Sequence, residues 1–223
     1  MFQTPEVVMV YSDSGLNGMS QTYHELYRSR LARGPWRDRA RPILINNWEA
    51  TYFDFDEEKI LKLARTAKDV GVELFVLDDG WFGRRDDSRS SLGDWYPYRK
   101  KLPEGVAGIA RRIEEMGLAF GLWIEPEMVN KDSDLYRAHP DWMLSAPGRS
   151  ACHGRNQFVL DFFQGGSGGV YLPDVKTCAG RGACLLYQMG YEPVHVRGIF
   201  PSRPSGGTGD GIPPLYSGGI QFV

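Results

Sequence analysis

The sequence predicts an α/β fold built on a parallel β-sheet, and three observations lead to this prediction. From about residue 40 to residue 162, strand-like apolar runs alternate with amphipathic helical runs. Each strand-like run is almost continuously apolar, as expected where helices cover a parallel sheet. Polar residues follow each strand at its carboxyl end, the edge where both barrels and doubly wound sheets carry their chemistry. The pattern alone does not distinguish a barrel from a doubly wound sheet.

The first strand is predicted over PILINNWE, residues 42–49. A helix follows, which Asp54 or Asp56 can cap, and it extends to about Val70. Gly71 supplies the stop, because glycine readily adopts the left-handed conformation that ends a helix. The apolar positions of this helix recur at helical spacing and form one face: Ile60, Leu61, Leu63, Ala64 and Ala67.

The same pattern then repeats further along the chain. VELFVLDD, residues 72–79, is the second predicted strand, and LAFGLWIEPE, residues 118–127, is the third. Between them a helix is predicted over residues 105–117, with Gly117 as its stop. Its apolar face consists of Val106, Ile109, Ala110, Ile113 and Met116.

The composition argues against several function classes. The chain has 223 residues, 42% of them hydrophobic and 24% charged, which is ordinary for a soluble globular protein. A net charge of −2 gives no indication of a nucleic acid or an anionic membrane as partner. Three cysteines without CxxC spacing, no basic-apolar leader and no long apolar run favour a reduced, cytoplasmic protein. No glycine-rich phosphate loop follows the first strand, which disfavours nucleotide binding.

Two adjacent carboxylates, Asp78 and Asp79, end the second strand and are the main functional signal. Such a pair can simply cap the following loop. It can also bind a divalent metal, although no histidine is near and hard cations usually gather more carboxylates. A third alternative is sugar recognition, in which a carboxylate accepts hydrogen bonds from hydroxyls and an indole stacks on the ring. Trp48 and Trp123 lie at equivalent strand ends, which favours a sugar site without metal or cofactor.

Five segments carry a family resemblance: INNWEATYFDF, ELFVLDDGWFGRRDD, SSLGDWYPYRKKLPEG, FGLWIEPEMVNKDSDLYRAHPDWML and GRNQFVLDF. Together they resemble the catalytic domain of family-36 glycoside hydrolases, the bacterial α-galactosidases, over about residues 1–162. The resemblance implies a partial (β/α)₈ TIM barrel, of which residues 41–162 form the first three βα units. Residues 1–40 would be the connection from a missing N-terminal β-sandwich domain. The implied reaction is hydrolysis of α-galactosides with retention, and full-length relatives are expected to be homo-oligomers.

The resemblance also implies roles for individual residues in a galactose pocket. Asp78 and Asp79 would hold the 4- and 6-hydroxyls of galactose. Trp48 and Trp123 would form aromatic walls, and Arg155 would be a basic residue that reaches the bound sugar. Of these five, only Arg155 has no signal of its own in the sequence pattern.

No catalytic residue is expected within this chain. Glu125 and Glu127 are attractive acids at the end of the third strand, yet the resemblance places neither catalytic role there. The nucleophile and the acid/base aspartates of the family lie beyond the resembling segments. Asp174 and Asp210 stand in unpatterned sequence and give no reason to face the pocket. The chain as written is therefore predicted to be inactive.

Residues 163–223 are unlike the rest of the chain, since they hold 14 of the 27 glycines and show no sustained periodicity. If the codons of Met189–Val194 are read one base later, they permit Trp-Asp-Met-Asn-Arg, the family's nucleophile motif. The same shift at Phe163 permits the usual family continuation. We therefore expect a single-base insertion near Phe162 or Phe163 and a low-order Gly/Pro-rich tail. A frame change removes the apolar spacing that a fourth βα unit needs, and it leaves an open sheet edge.

Two functions from different classes remain open. The first is an α-galactosidase fragment without nucleophile or acid/base. The second is a non-catalytic galactose-binding or interaction module. Within the enzyme class, activity on N-acetylgalactosaminides or raffinose-type sugars also remains possible.

Overall fold

A sheet of four parallel strands organises the larger of the two units in the computed structural model, Pro42–Val223, while Met1–Arg41 forms the smaller unit. The structure describes residues 7–32, 37–146, 148 and 154–161, together with the backbone of 184–187. The strands are Leu44–Asn46 (β1), Leu74–Leu77 (β2), Ala119–Ile124 (β3), Met128–Asn130 (β4), Gln157–Val159 (β5) and Cys184–Tyr187 (β6). The α-helices are Gly15–Leu26 (α1), Trp48–Thr51 (α2), Glu57–Asp69 (α3), Gly105–Glu115 (α4) and Asp134–Ala138 (α5).

The main sheet has the order β1-β2-β3-β6, so that strands follow one another in chain order without a reversal. All three pairings in this sheet are parallel. The strands β4 and β5 form a separate antiparallel pair, with Asn130 opposite Gln157. The predicted α/β class with parallel strands is confirmed.

One prediction about the sheet is wrong: the sequence predicts three parallel strands, whereas the sheet has four. The fourth strand, β6, lies within the segment that was expected to lack order, and it pairs with β3. The edge of β3 would otherwise leave backbone N–H and C=O groups without partners, and a short apolar run such as Cys184–Tyr187 can satisfy them. The other residues of 163–223 lie outside the described residues, so their disorder and the frame change stay predictions.

The helices that cover the sheet are those that the apolar spacing predicted. In α3, Asp56 is the cap, and its Oδ1 accepts a hydrogen bond from the backbone N–H of Lys59 at 2.9 Å. Gly71 follows with φ +90°, a conformation that favours glycine. The buried residues of α3 are Ile60, Leu61, Ala64 and Ala67, and those of α4 include Val106, Ile109, Ala110 and Ile113.

The first strand differs most from its prediction. The strand β1 is only three residues long, because the chain turns at Asn47 and begins the single helical turn α2. Trp48 therefore lies on a helix and not on a strand. The prediction of a fully covered sheet also fails here, because Leu44 and Ile45 are 39% and 41% exposed. By contrast, all four residues of β2 are buried.

The smaller unit consists mainly of α1, which continues into a π-helical segment, Tyr27–Leu31. The Tyr23 hydroxyl donates a hydrogen bond to the Val8 carbonyl at 3.1 Å. The helix α1 buries none of its residues. Across the described part of the chain, no helix combines the length and the apolar character needed to cross a membrane.

Candidate sugar site at the strand ends

The carboxyl ends of the first three strands lie side by side, which brings predicted site residues together. When the register of β2 and β3 is continued by one residue, Asp78 falls opposite Trp123. Trp48 begins α2, two residues after the end of β1. Asn47 connects two of these ends, because its Oδ1 accepts a hydrogen bond from the Asp78 backbone N–H at 2.8 Å. Its Nδ2 donates to Thr51 Oγ1 at 2.8 Å, so the amide is held from both sides.

Asp78 is buried, and its carboxyl lies at the end of β2. Burial raises the pKa of Asp78, and the nearby charge of Asp79 raises it further. A hydrogen bond of 2.7 Å from the Asp79 backbone N–H to Asp78 Oδ1 opposes this effect. The other oxygen, Oδ2, accepts no hydrogen bond from the part of the chain that the structure describes. One acceptor oxygen of a buried carboxyl therefore remains for a ligand.

Asp79 forms a two-point ion pair with Arg85, an arginine that is only 1% exposed. Arg85 Nε donates to Asp79 Oδ1 at 2.6 Å, and Nη2 donates to Oδ2 at 2.8 Å. This planar arrangement sets the rotation of the carboxylate as well as its position. Each carboxylate oxygen has a second lone pair, so Asp79 can still accept hydrogen bonds from two hydroxyl groups.

The two tryptophans occupy different environments. Trp48 is half-buried, and its ring makes edge contacts with Tyr52 and Phe53 at centroid distances of 5.2 and 5.1 Å. Trp123 is only 5% exposed, and its ring stacks on Phe82 at 6.2 Å. Trp48 thus has indole surface open to solvent, whereas Trp123 is enclosed by other aromatic rings.

Arg155 lies in a tight turn before β5, on a separate segment from the acid pair. Its φ is 50° and that of Asn156 is 58°, and the Gln157 N–H donates to the Gly154 carbonyl at 2.8 Å. Two consecutive left-handed residues are typical of a type I′ turn, which costs conformational energy in residues other than glycine. The Arg155 side chain is exposed, and its charge acts on the carboxyl of Glu125.

Glu125 is the acid of this region whose protonation is most strongly perturbed. Burial raises the pKa of Glu125 to about 8, and the charges of Glu127 and Asp79 add to the effect. The charges of Arg85 and Arg155 oppose it. At neutral pH the carboxyl is mostly protonated, and a protonated carboxyl cannot act as a nucleophile. The raised pKa would suit a general acid, yet retention also needs a second, ionised carboxylate about 5 Å away.

Three buried polar residues around the acid pair were not predicted from the sequence: Arg85, which binds Asp79, Asn130, which binds Arg85, and Lys101. Lys101 Nζ donates to the backbone carbonyls of Phe53, Gly80 and Arg85 at 2.8, 3.2 and 2.9 Å. Lys101 therefore links the Phe53 backbone to the loop that follows the acid pair. Arg85 and Lys101 carry no signal in the sequence, since a charged residue in a loop is usually on the surface, and Asn130 only ends a three-residue strand.

No group of three or more histidine, cysteine, aspartate or glutamate side chains that could hold a metal ion is found within residues 7–32, 37–146, 148 and 154–161. Of the two acids, Asp79 is already engaged by a cation of the protein, because Arg85 donates to both of its oxygens. The Oδ2 of Asp78 and the second lone pairs of the Asp79 oxygens can accept hydrogen bonds from the hydroxyls of a neutral ligand.

Comparison with known proteins gives one consistent result. A family model described as Melibiase matches residues 1–168. The chain is 71% identical to "Alpha-galactosidase AgaA" of Geobacillus stearothermophilus over 161 residues, which are 72% of this chain and 22% of that protein. It is 57% identical to "Alpha-galactosidase Mel36A" of Lactobacillus acidophilus over 160 residues, with the same coverage of 72% and 22%.

A solved structure of a variant of the Geobacillus stearothermophilus protein AgaA, in complex with stachyose, is similar to this chain with a TM-score of 0.75 and 60% identity. The similarity covers 83% of this chain and 26% of that one. The chain thus spans about a fifth of the length of the curated relatives that it matches.

Proposed function

The chain belongs to the melibiase family, and from this membership we propose that it is part of an α-galactosidase that hydrolyses terminal α-D-galactose residues with retention. The observation that carries the proposal is the pair Asp78 and Asp79, two buried neighbouring carboxylates at the end of a parallel strand. Relatives of this chain are named α-galactosidases, and one is solved with stachyose, an α-galactoside. Melibiose and raffinose-type sugars are therefore the proposed substrate class.

The proposed architecture is the first part of a (β/α)₈ barrel, with residues 1–40 as a connection from a preceding β-sandwich domain. Support comes from the order of the main sheet, whose four strands lie side by side in the order in which they occur in the chain, where β4 and β5 come between β3 and β6 but are set apart as a separate pair. A doubly wound sheet reverses its order at a switch point, and the four strands contain no such reversal. In a barrel the carboxyl ends of the strands surround the active site.

In the proposed pocket, Asp78 and Asp79 accept hydrogen bonds from the 4- and 6-hydroxyls of galactose. A hydrogen bond from a hydroxyl to a carboxylate in a buried site is stronger than a neutral one. The open indole surface of Trp48 suits stacking on the apolar face of the sugar. Trp123 is 5% exposed, so it would contribute to the aromatic wall only with the part of its ring that stays accessible. Arg155 donates to a sugar oxygen from the opposite segment.

We further propose that the chain as written binds galactose but does not hydrolyse galactosides. Retention needs one carboxylate nucleophile and one carboxylic acid. Asp79 is paired with Arg85, and Glu125 is largely protonated at neutral pH, so neither is suited to form a glycosyl ester. We place the nucleophile in the reading frame one base away, and the DNA that encodes residues 160–195 tests this point directly.

A binding test and an activity test together examine this proposal. By ligand-observed NMR, the purified chain is expected to bind galactose and not glucose, which differs at the 4-hydroxyl. Asp78→Asn should abolish the binding, whereas Asp87→Asn, which changes an exposed acid of the same segment, should leave it unchanged. No release of chromophore from a chromogenic α-galactoside is expected. Turnover that disappears in the Asp78→Asn variant would show that the proposed inactivity is wrong.

A second candidate function is a non-catalytic galactose-binding module, which the exposed surface of Trp48 and the unused oxygen of Asp78 would equally serve. The two candidates differ at the DNA level. A disrupted gene carries the nucleophile motif in the shifted frame, whereas a module carries no such motif there. We also propose a cytoplasmic location, on the basis of three cysteines without CxxC spacing, and a homo-oligomeric state for the full-length protein.

A further inference from the structure

Asn130, the last residue of β4, is completely buried, and every polar atom of its side chain is used. Its Oδ1 accepts hydrogen bonds from Arg85 Nη1 and from the Leu92 backbone N–H, both at 2.9 Å. Its Nδ2 donates to the Asn156 carbonyl at 2.8 Å. If the amide were flipped, its NH₂ group would face the N–H donors of Arg85 and Leu92. The hydrogen bonds therefore allow only one orientation.

Towards the sheet, Asn130 acts on the acid pair through Arg85. The guanidinium of Arg85 holds Asp79 with its Nε and Nη2, and its Nη1 is anchored by Asn130 and by the Ser90 carbonyl at 2.8 Å. A guanidinium is planar, so an anchor at one end sets the plane of the whole group. The plane of the Asp79 carboxylate follows from it.

Towards the opposite segment, Asn130 acts on the turn that contains Arg155. The hydrogen bond from Nδ2 reaches the carbonyl of Asn156, one of the two left-handed residues of this turn. Asn156 Nδ2 in turn donates to the Arg89 carbonyl at 3.2 Å. Since a left-handed Arg such as Arg155 is unfavourable without external support, these contacts maintain the turn.

We propose that Asn130 is a positioning residue that couples the Asp79–Arg85 ion pair to the turn that carries Arg155. One buried amide then sets the spacing between the acid pair and Arg155 in the sugar site. The inference rests on the proposed galactose-binding function. It is supported by Glu125, whose carboxyl lies within the electrostatic influence of Asp79, Arg85 and Arg155 together.

Three single variants of the full chain test the coupling. Asn130→Asp keeps an acceptor for Arg85 and Leu92 but places an oxygen opposite the Asn156 carbonyl, so it releases only the turn. Asn130→Ala removes the hydrogen bonds to Arg85 and Leu92 as well as the one to the turn. Ser133→Ala is the matched control, because Ser133 is equally buried and reaches Asn130 only at its backbone carbonyl, to which Ser133 Oγ donates at 2.7 Å. The same Oγ caps α5 by accepting from the Tyr136 N–H at 3.0 Å, so this variant also loses a buried hydrogen bond without touching the Asn130 side chain.

Two readouts are needed, galactose affinity and the local NMR signals of the ¹⁵N-labelled chain. For Asn130→Asp we expect about tenfold weaker galactose binding and about tenfold faster hydrogen exchange at the Gln157 amide, with the Arg85 Nε signal retained. For Asn130→Ala the Arg85 Nε signal should change as well. Ser133→Ala should alter neither readout by more than about twofold.

The possible outcomes separate the inference from the proposed function. If the unmodified chain does not bind galactose, the proposed function fails and the inference fails with it. If the unmodified chain binds galactose and Asn130→Asp, folded by circular dichroism, binds it equally well, only the inference is overturned. Equal losses in Asn130→Asp and Ser133→Ala would also overturn it, because they would indicate a general loss of packing.

Discussion

At the scale of single residues, the ion pair between Asp79 and Arg85 determines how the acid pair can serve a ligand. Arg85 is 1% exposed, so its charge is compensated almost entirely by Asp79 and by neighbouring carbonyl groups. The pair gives the buried guanidinium its counter-ion and orients both oxygens of Asp79. Asp78 lacks such a cation, which is why burial raises its pKa.

Removing one partner of this pair should destabilise the chain strongly. Asp79→Asn leaves the buried guanidinium without its counter-ion, and we expect a loss of about 3–5 kcal/mol in the free energy of unfolding. The control is Asp132→Asn, which breaks an exposed pair with Arg137 at 2.9 Å and should cost less than about 1 kcal/mol. Urea unfolding of both variants checks this, and equal losses would contradict the role of burial.

Glu125 makes the stability of the chain depend on pH. Its pKa of about 8 in the folded chain lies above its ordinary value of 4.5, so the folded state binds more protons than the unfolded state between these values. The contribution of protonated Glu125 to the free energy of unfolding is therefore fully present below about pH 4.5. It decreases as the pH rises and is lost above about pH 8.

The variant Glu125→Gln removes this titration. We expect it to be more stable than the unmodified chain at pH 8 by a few kcal/mol and similar to it at pH 4.5. Urea unfolding at the two pH values measures the difference. A difference that stays constant between pH 4.5 and pH 8 would show that Glu125 does not titrate in this range.

At the scale of elements, the two predicted helices follow the apolar spacing closely, but the spacing does not decide which residue caps a helix. The sequence left Asp54 and Asp56 as alternative caps of α3. The structure selects Asp56, whose Oδ1 accepts from the Lys59 N–H at 2.9 Å. The Asp54 carboxylate is instead exposed and lies 3.5 Å from the Lys59 ammonium group, which donates at 2.6 Å to the Asp54 backbone carbonyl.

These positions predict different costs for the same substitution. Asp56→Ala should lower the free energy of unfolding by about 1 kcal/mol, because a backbone N–H in the first turn of α3 loses its partner. Asp54→Ala removes only an exposed charge and should change stability by less than about 0.5 kcal/mol. Thermal unfolding followed by circular dichroism distinguishes the two, and similar shifts for both would refute the assignment of the cap.

At the scale of the whole molecule, β1 has the most exposed apolar residues among the strands whose side chains the structure describes. Within the described residues it pairs only with β2, and Ile43, Leu44 and Ile45 are 61%, 39% and 41% exposed. An apolar strand with an unpaired edge invites association with another chain. We expect the purified chain to self-associate through this edge.

A charge at the edge should reduce the association. Ile43→Lys is expected to lower the apparent mass in sedimentation velocity at high concentration, because a lysine opposes strand pairing. Val70→Lys introduces the same charge at a residue that is 76% exposed but lies after α3, and it should leave the association unchanged. If Val70→Lys is equally effective, net charge and not the β1 edge controls the association.

The amino-acid sequence by itself determined the βα repeat and the place of the acid pair. Apolar spacing is a local signal, and Asp78 and Asp79 are adjacent at the end of a strand. The sequence did not predict β6, since its pairing depends on an available edge of β3 and not on a periodic pattern.

The tertiary structure decided which residues hold the site. Arg85 and Asn130 are 45 residues apart and meet through a single hydrogen bond, so neither leaves a periodic signal in the sequence. The raised pKa of Glu125 is likewise a property of burial and of charges from several segments. Local spacing predicts elements because each element forms from neighbouring residues, whereas a buried polar network exists only after the elements have packed.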